Sequence, residues 1–219
     1  MIDLKYKNWK EITIEVYDKI SSLSEFEVTT EEQAFDVNIK LLSILCDVSE
    51  DEIMNLPLTQ FTILIGKTDF LKEMPKYTVE QYYEIGEGRV FEVQMNLREM
   101  TTAQFIDFQT FVKDKEKNLK HLLACFLLPK GKKYGEDYDI IEVAEYLYKN
   151  MSIATARSVM FFFTLQYQAL QKVMLNCSIK ELKKILKKEK NQETKEKLEQ
   201  SIQQMTQLKH LINTGVGGI

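Results

Sequence analysis

Few side chains in this sequence are of a type and spacing that can do chemistry. His121 and His210 are its two histidines, and imidazole is the side chain whose ordinary pKa suits proton transfer near neutrality. His121 stands beside Leu122 and Leu123 and reads as a core or boundary residue. His210 lies in a polar stretch and reads as solvated. Neither has a Cys or His at zinc-ligand spacing. Cys125 follows His121 by four residues, so a helix would place thiol and imidazole on one face. Such a pair lacks the third group that orients the base in a working nucleophilic site.

Carboxylates cluster as Glu31 and Glu32 and as Glu50, Asp51 and Glu52, first-turn positions that the helix dipole favours. The run Glu136-Asp137-Tyr138-Asp139 is the best candidate to wrap a cation. It lacks the alternating ligands and closing Glu of an EF-hand, so it reads as a solvated or capping loop. Asp107 belongs on a polar helix face or bonded to a neighbouring helix start. Pro129-Lys130-Gly131-Lys132-Lys133-Tyr134-Gly135 superficially resembles a phosphate loop, without Walker spacing or a Ser/Thr after the lysine. Lys130, Lys132 and Lys133 remain candidates for contact with a phosphate backbone or an acidic partner. The lysines at 180, 183, 184, 187, 188 and 190 alternate with leucines rather than base-stacking aromatics, which describes an amphipathic helix better than a nucleic-acid groove. The residues therefore offer no catalytic group, no metal site and no cofactor site, and the chain is expected not to be an enzyme.

The elements that would position these groups are mainly helical. Thr30/Gln33, Ser49/Glu52, Thr78/Gln81, Thr101/Gln104 and Ser178/Glu181 all have capping-box spacing. Phe35, Ile39, Leu42 and Leu45 follow helical periodicity after Thr30. A short helix runs from Ser49 to Leu56, and another from Pro57 carries Phe61, Leu64, Ile65 and Phe70 inward and closes at Pro75. Val90 to Leu97 alternates apolar and polar residues with a period of two and reads as a strand. Tyr82 to Ile85 can pair with it across Gly86-Glu87-Gly88, and that hairpin must pack on helices or join a larger sheet. Leu119 to Leu128 is apolar on nearly all sides and marks a core helix. Pro129 to Asp139 is a loop, with Tyr134, Tyr138, Tyr146 and Tyr148 clustered near it. Helical patterns resume over Ile140–Tyr148 and Ile153–Met174.

Beyond Ser178 the composition turns to Lys, Glu and Gln. Leu182, Ile185 and Leu186 form one narrow stripe with Ile179, and Leu198, Ile202, Met205, Leu208 and Ile212 form a second. This spacing suits two helices folded back as a hairpin or one long helix seeking partners. Gly215 to Gly218 reads as a flexible end. The expected fold is a helical bundle with one small β-hairpin. A body over 1–177, with the hairpin near 82–97, carries a helical extension over 178–219.

Composition supports this picture. Hydrophobic residues make up 44% of 219, against 8 Gly and 3 Pro, enough for a core and few turns for an all-β fold. Residues 1–100 carry 10 Lys and Arg against 20 Asp and Glu, whereas 101–219 carry 19 against 13. A chain so polarised can associate head to tail or present its basic half to an acidic partner. Three scattered cysteines, Cys46, Cys125 and Cys177, each in an apolar run, imply reduced, buried thiols in a reducing compartment. Met1 to Glu15 does not read as a signal peptide, and no apolar run reaches membrane-span length. A soluble protein made in a cytoplasm, with no membrane partner, is the expectation.

The run from Leu41 through Cys46-Asp47-Val48-Ser49-Glu50-Asp51-Glu52 to Leu56-Pro57-Leu58-Thr59-Gln60-Phe61 is similar to the helical pattern of bacteriophage tail-assembly chaperones. Trp9-Lys10-Glu11-Ile12-Thr13 and Tyr17 resemble the start of such proteins. Met100 to Phe108, with Pro129 to Tyr138, resembles small structural proteins of phages infecting gut Bacteroidetes, including crAss-like phages. The resemblance spans roughly residues 9–168 and implies a virion or morphogenesis protein, made in the host cytoplasm, whose partners are phage structural proteins in an oligomer or larger assembly. It carries over no catalytic residue. A chaperone that leaves before the particle matures, a nucleic-acid-processing factor using Lys130–Lys133 with Asp137 and Asp139, and a coiled-coil adaptor are the alternatives.

Overall fold

The computed structural model describes residues 2–73, 76, 78–114 and 117–213. Pro75 and the terminal glycines 215–218 lie outside the described residues. The chain is mainly helical: α1 (Ile14–Ser22), α2 (Glu31–Cys46), α3 (Glu50–Met54), α4 (Leu58–Lys67), α5 (Thr102–Phe111), α6 (Leu119–Phe126), α7 (Ile140–Asn150), α8 (Ile153–Lys188) and α9 (Gln192–Asn213). Three strands, β1 (Tyr82–Ile85), β2 (Arg89–Val93) and β3 (Leu127–Pro129), form one antiparallel sheet in the order β1-β2-β3. It divides into two units, one of residues 1–95 with 101–159, the other of residues 96–100 with 160–219.

In the first unit, Ile12 and Ile14 bracket an isolated antiparallel bridge between Thr13 and Ser152. The Ile14 N–H donates to Met151 O at 3.0 Å and the Ile153 N–H to Ile12 O at 2.8 Å. Ile12, Ile14, Met151 and Ile153 are all buried there. Helices α5, α6 and α7 pack in sequence, α1 joins α7 and α2, and α2 supports α3 and α4. Leu122, Leu123, Leu127, Ala144 and Leu147 have no exposed surface, and each leucine contributes about 1.5–3 kcal/mol by leaving water. Trp9 fixes the chain entry: its indole N–H reaches Phe70 O at 2.9 Å and Glu73 O at 2.7 Å.

Three capping boxes form as the sequence predicts, at Thr30/Gln33, Ser49/Glu52 and Thr101/Gln104. Two do not. Thr78 leads through an irregular stretch into β1, because alternation and the Gly86–Gly88 turn decide that segment. Ser178 lies inside α8, which runs unbroken to Lys188. The break comes instead at Glu189–Asn191, where the Glu189 carboxylate accepts the Lys190 and Asn191 N–H groups. The first extension stripe therefore continues the preceding helix.

The hairpin joins a larger sheet, as its marginal size requires. Leu127 and Leu128, expected in the core helix, pair instead with Val93 and Glu92. Pro129, expected in a loop, pairs with Phe91, a role open to a residue without an N–H at a sheet edge. The second strand ends at Val93, short of the expected Leu97, which sits in a 3₁₀ turn. Phe35 keeps helical spacing but is 45% exposed, its ring 4.8 Å from Phe61.

In the second unit, α8 from Met160 onward and α9 carry apolar residues of two kinds. Leu182, Leu186, Leu198, Ile202, Met205 and Ile212 are half-buried. Met174, Ile185, Leu208 and Leu211 are 53%, 50%, 50% and 47% exposed.

Candidate functional site

The structure gives different partners to His121 and Cys125, which their spacing would put on one helix face. The His121 ring stacks on Phe111 at 4.9 Å, and its Nδ1 is buried without a hydrogen-bond partner. Burial, then the neighbouring Lys120, lowers its pKa. The Cys125 thiol points elsewhere, to the Tyr134 hydroxyl at 3.8 Å. Burial pushes that thiol up to about 12, so it stays protonated and is a poor nucleophile at neutral pH. Tyr134 donates to the Asp107 carboxylate at 2.8 Å, which gives Asp107 a tertiary bond where the sequence offered a polar face or a helix start. Tyr138 meets Tyr134 edge-on at 6.4 Å, its hydroxyl buried and unpartnered. Burial drives both phenols up, so both hydroxyls remain neutral.

A 470 Å³ groove is lined by Arg89, Lys130 and Lys132 together with Asp137, Asp139 and Glu142. The basic and acidic loop residues thus do come together, but as a mixture of charge rather than a cationic cradle. Asp139 is occupied in capping α7, accepting the Ile141 N–H at 2.7 Å. The Arg89 guanidinium lies over Tyr146 at 4.1 Å and the Lys130 ammonium over Tyr82 at 5.2 Å. Lys133 lies outside that lining and pairs with Glu136 at 3.8 Å. Among the described residues no three His, Cys, Asp or Glu side chains gather to hold a metal ion. None of their helices is long and apolar enough to cross a membrane.

One buried polar residue escaped the functional reading of the sequence. Gln104 is 1% exposed; its amide donates to Gln94 Oε1 and to Cys125 O, both at 2.6 Å. Its oxygen accepts the Thr101 N–H in the capping box at 3.3 Å. The cap spacing was visible in the sequence, but nothing local could show that the same amide locks α5 to Gln94, just past β2, and to the end of α6.

The remaining candidates are surfaces. Met174 and Ile185 are eleven residues apart on α8, close to three helical turns, and so share one flank beside the half-buried Leu182–Leu186 stripe. On α9, Leu208 occupies the corresponding flank of the Leu198–Ile202–Met205 stripe. A second apolar surface in the first unit comprises Phe35, Met54 and Leu58, the last two 57% and 71% exposed. Glu31 and Glu32 lie one turn before Phe35, and Glu50 and Asp51 one turn before Met54, all exposed. Comparisons with family models, with curated proteins and with solved structures yield no match to this chain.

Proposed function

We propose that this chain is a nonenzymatic assembly protein that docks its C-terminal helices onto partner subunits and is retained in a bacteriophage particle. The observation that carries the docking is the exposed flank of α8 and α9, where Met174, Ile185 and Leu208 stand about half exposed beside half-buried stripes. Burying the exposed half of such side chains releases about 1 kcal/mol each, and a linear array of them on long helices suits a helix–helix seam. The chemistry-bearing groups support the same reading: the thiol of Cys125 is protonated, His121 is turned away from it, and the basic groove is half carboxylate. The phage context rests on the likeness of residues 9–168 to tail-assembly chaperones and small virion proteins. Mass spectrometry of purified particles tests it. Peptides from both halves at a stoichiometry matching other virion subunits support a retained component; abundance in infected lysate with none in particles leaves the departing chaperone.

A further inference from the structure

Resting on that association reading, we infer that one partner is a second copy of this chain, bound head to tail: the basic helices of one copy seat on the acidic apolar face of the next. Two surfaces carry the inference, and each has what the other lacks. From Met160 to Asn213 the chain has ten lysines and five glutamates. Two of those lysines are paired within their own helices, Lys184 with Glu181 and Lys197 with Glu193, both at 2.6 Å. Lys187, Lys188 and Lys190 are exposed, and among the described residues no ion pair engages them. Lys188 lies one turn beyond the exposed Ile185, and Lys187 and Lys190 flank it at the end of the helix.

The complementary face lies over α2, α3 and α4. Residues 31–52 hold seven carboxylates and one lysine. Phe35 contacts Phe61 across α2 and α4, and Leu58, one turn before Phe61 on α4, is 71% exposed. The exposed Phe35 has the exposed Glu31, Glu32 and Asp36 within one turn of it on α2, so this apolar surface is edged by negative charge. A net-basic ridge with exposed apolar side chains has the charge that this face would accept. The two surfaces differ, so the contact is heterologous and repeats from copy to copy instead of closing as a two-fold dimer.

Sedimentation velocity of the full chain across a concentration series tests this. Species larger than a dimer should grow with concentration and dissolve as salt screens the pairing. Reversing the ridge (Lys187→Glu, Lys188→Glu, Lys190→Glu) or the face (Glu31→Lys, Glu32→Lys, Asp36→Lys) should each weaken association at least about tenfold. Mixing the two variants should restore it, because each retains or regains a matching surface. All six positions are exposed, and far-UV circular dichroism checks that the helices persist. A chain that stays monomeric overturns the head-to-tail contact, as does a dimer that survives reversal of the acidic face. A salt-sensitive but concentration-independent compaction also overturns it, by showing the contact to be internal. Stoichiometric recovery from particles of a chain that is monomeric alone would leave the docking function standing without self-association.

Discussion

Replacing Gly86 with alanine should destabilise the first unit, and most of the excess cost should vanish when Tyr146 is phenylalanine. Gly86 adopts φ +65° at the β1–β2 turn, and a methyl group there would overlap the Tyr146 hydroxyl. That hydroxyl donates to Ile85 O at 2.8 Å and accepts the Glu87 N–H at 3.3 Å. The ring cannot simply swing aside, because Phe91 stacks on it at 6.0 Å and Arg89 covers it at 4.1 Å. Left-handed backbone costs a non-glycine residue about 1–2 kcal/mol, and losing the hydroxyl's bonds costs about 1–2 kcal/mol more. Gly86→Ala should therefore cost about 2–4 kcal/mol in the natural chain and about 1–2 kcal/mol beside Tyr146→Phe. The chain has a single tryptophan, Trp9, buried in the first unit, so urea unfolding followed by its fluorescence reports on that unit. Equal costs in both backgrounds would refute the turn–tyrosine coupling.

Thiol reactivity should sort by burial: Cys177 is exposed, against the buried thiol that its apolar run suggests, whereas Cys46 and Cys125 are buried, so a disulfide reagent at pH 8 should label one thiol in the folded chain and three in urea. Rapid labelling of Cys125 would contradict a thiol pushed up to about 12. The His121 imidazole, lowered below its ordinary 6.5 by burial, binds its proton more readily when unfolded. Its contribution to stability is thus complete above about pH 6.5 and is lost as pH falls through the lowered value. His121→Gln should flatten that slope of the Trp9 transition, and an unchanged slope would remove His121 as its source. Thr101→Ala should cost about 1 kcal/mol through the cap, while Gln104→Ala should cost more, since it also abandons the Gln94 and Cys125 bonds; the reverse order in urea titrations would deny Gln104 its bridging role.

Much of the fold was legible because its signals are local. Three capping boxes, the glycine turn and the alternation of Val90–Val93 each need only a few neighbouring residues, and each formed. Thr78 and Ser178 show the limit of spacing alone: the same pattern sits before a strand and inside an unbroken helix, where tertiary pairing and helix continuity prevail. Leu127–Pro129 read as helix and loop because a three-residue strand has too little pattern of its own and is defined by its partner β2. The Tyr134–Asp107 bond and the Gln104 bridge join residues 27, 10 and 21 positions apart, distances at which periodicity carries no information. The stripes over 182–212 were legible as stripes, but only the structure divides them into half-buried residues and the exposed flank of Ile185 and Leu208.

The docking claim is tested most directly by particle incorporation of a chain carrying Ile185→Asp and Leu208→Asp, two positions that are each 50% exposed, with far-UV circular dichroism checking that the helices persist. Quantitative mass spectrometry of purified particles should find the natural chain at subunit stoichiometry and the variant depleted from particles while remaining abundant in the lysate. Equal incorporation of the two chains would contradict the account that these helices hold it in the assembly.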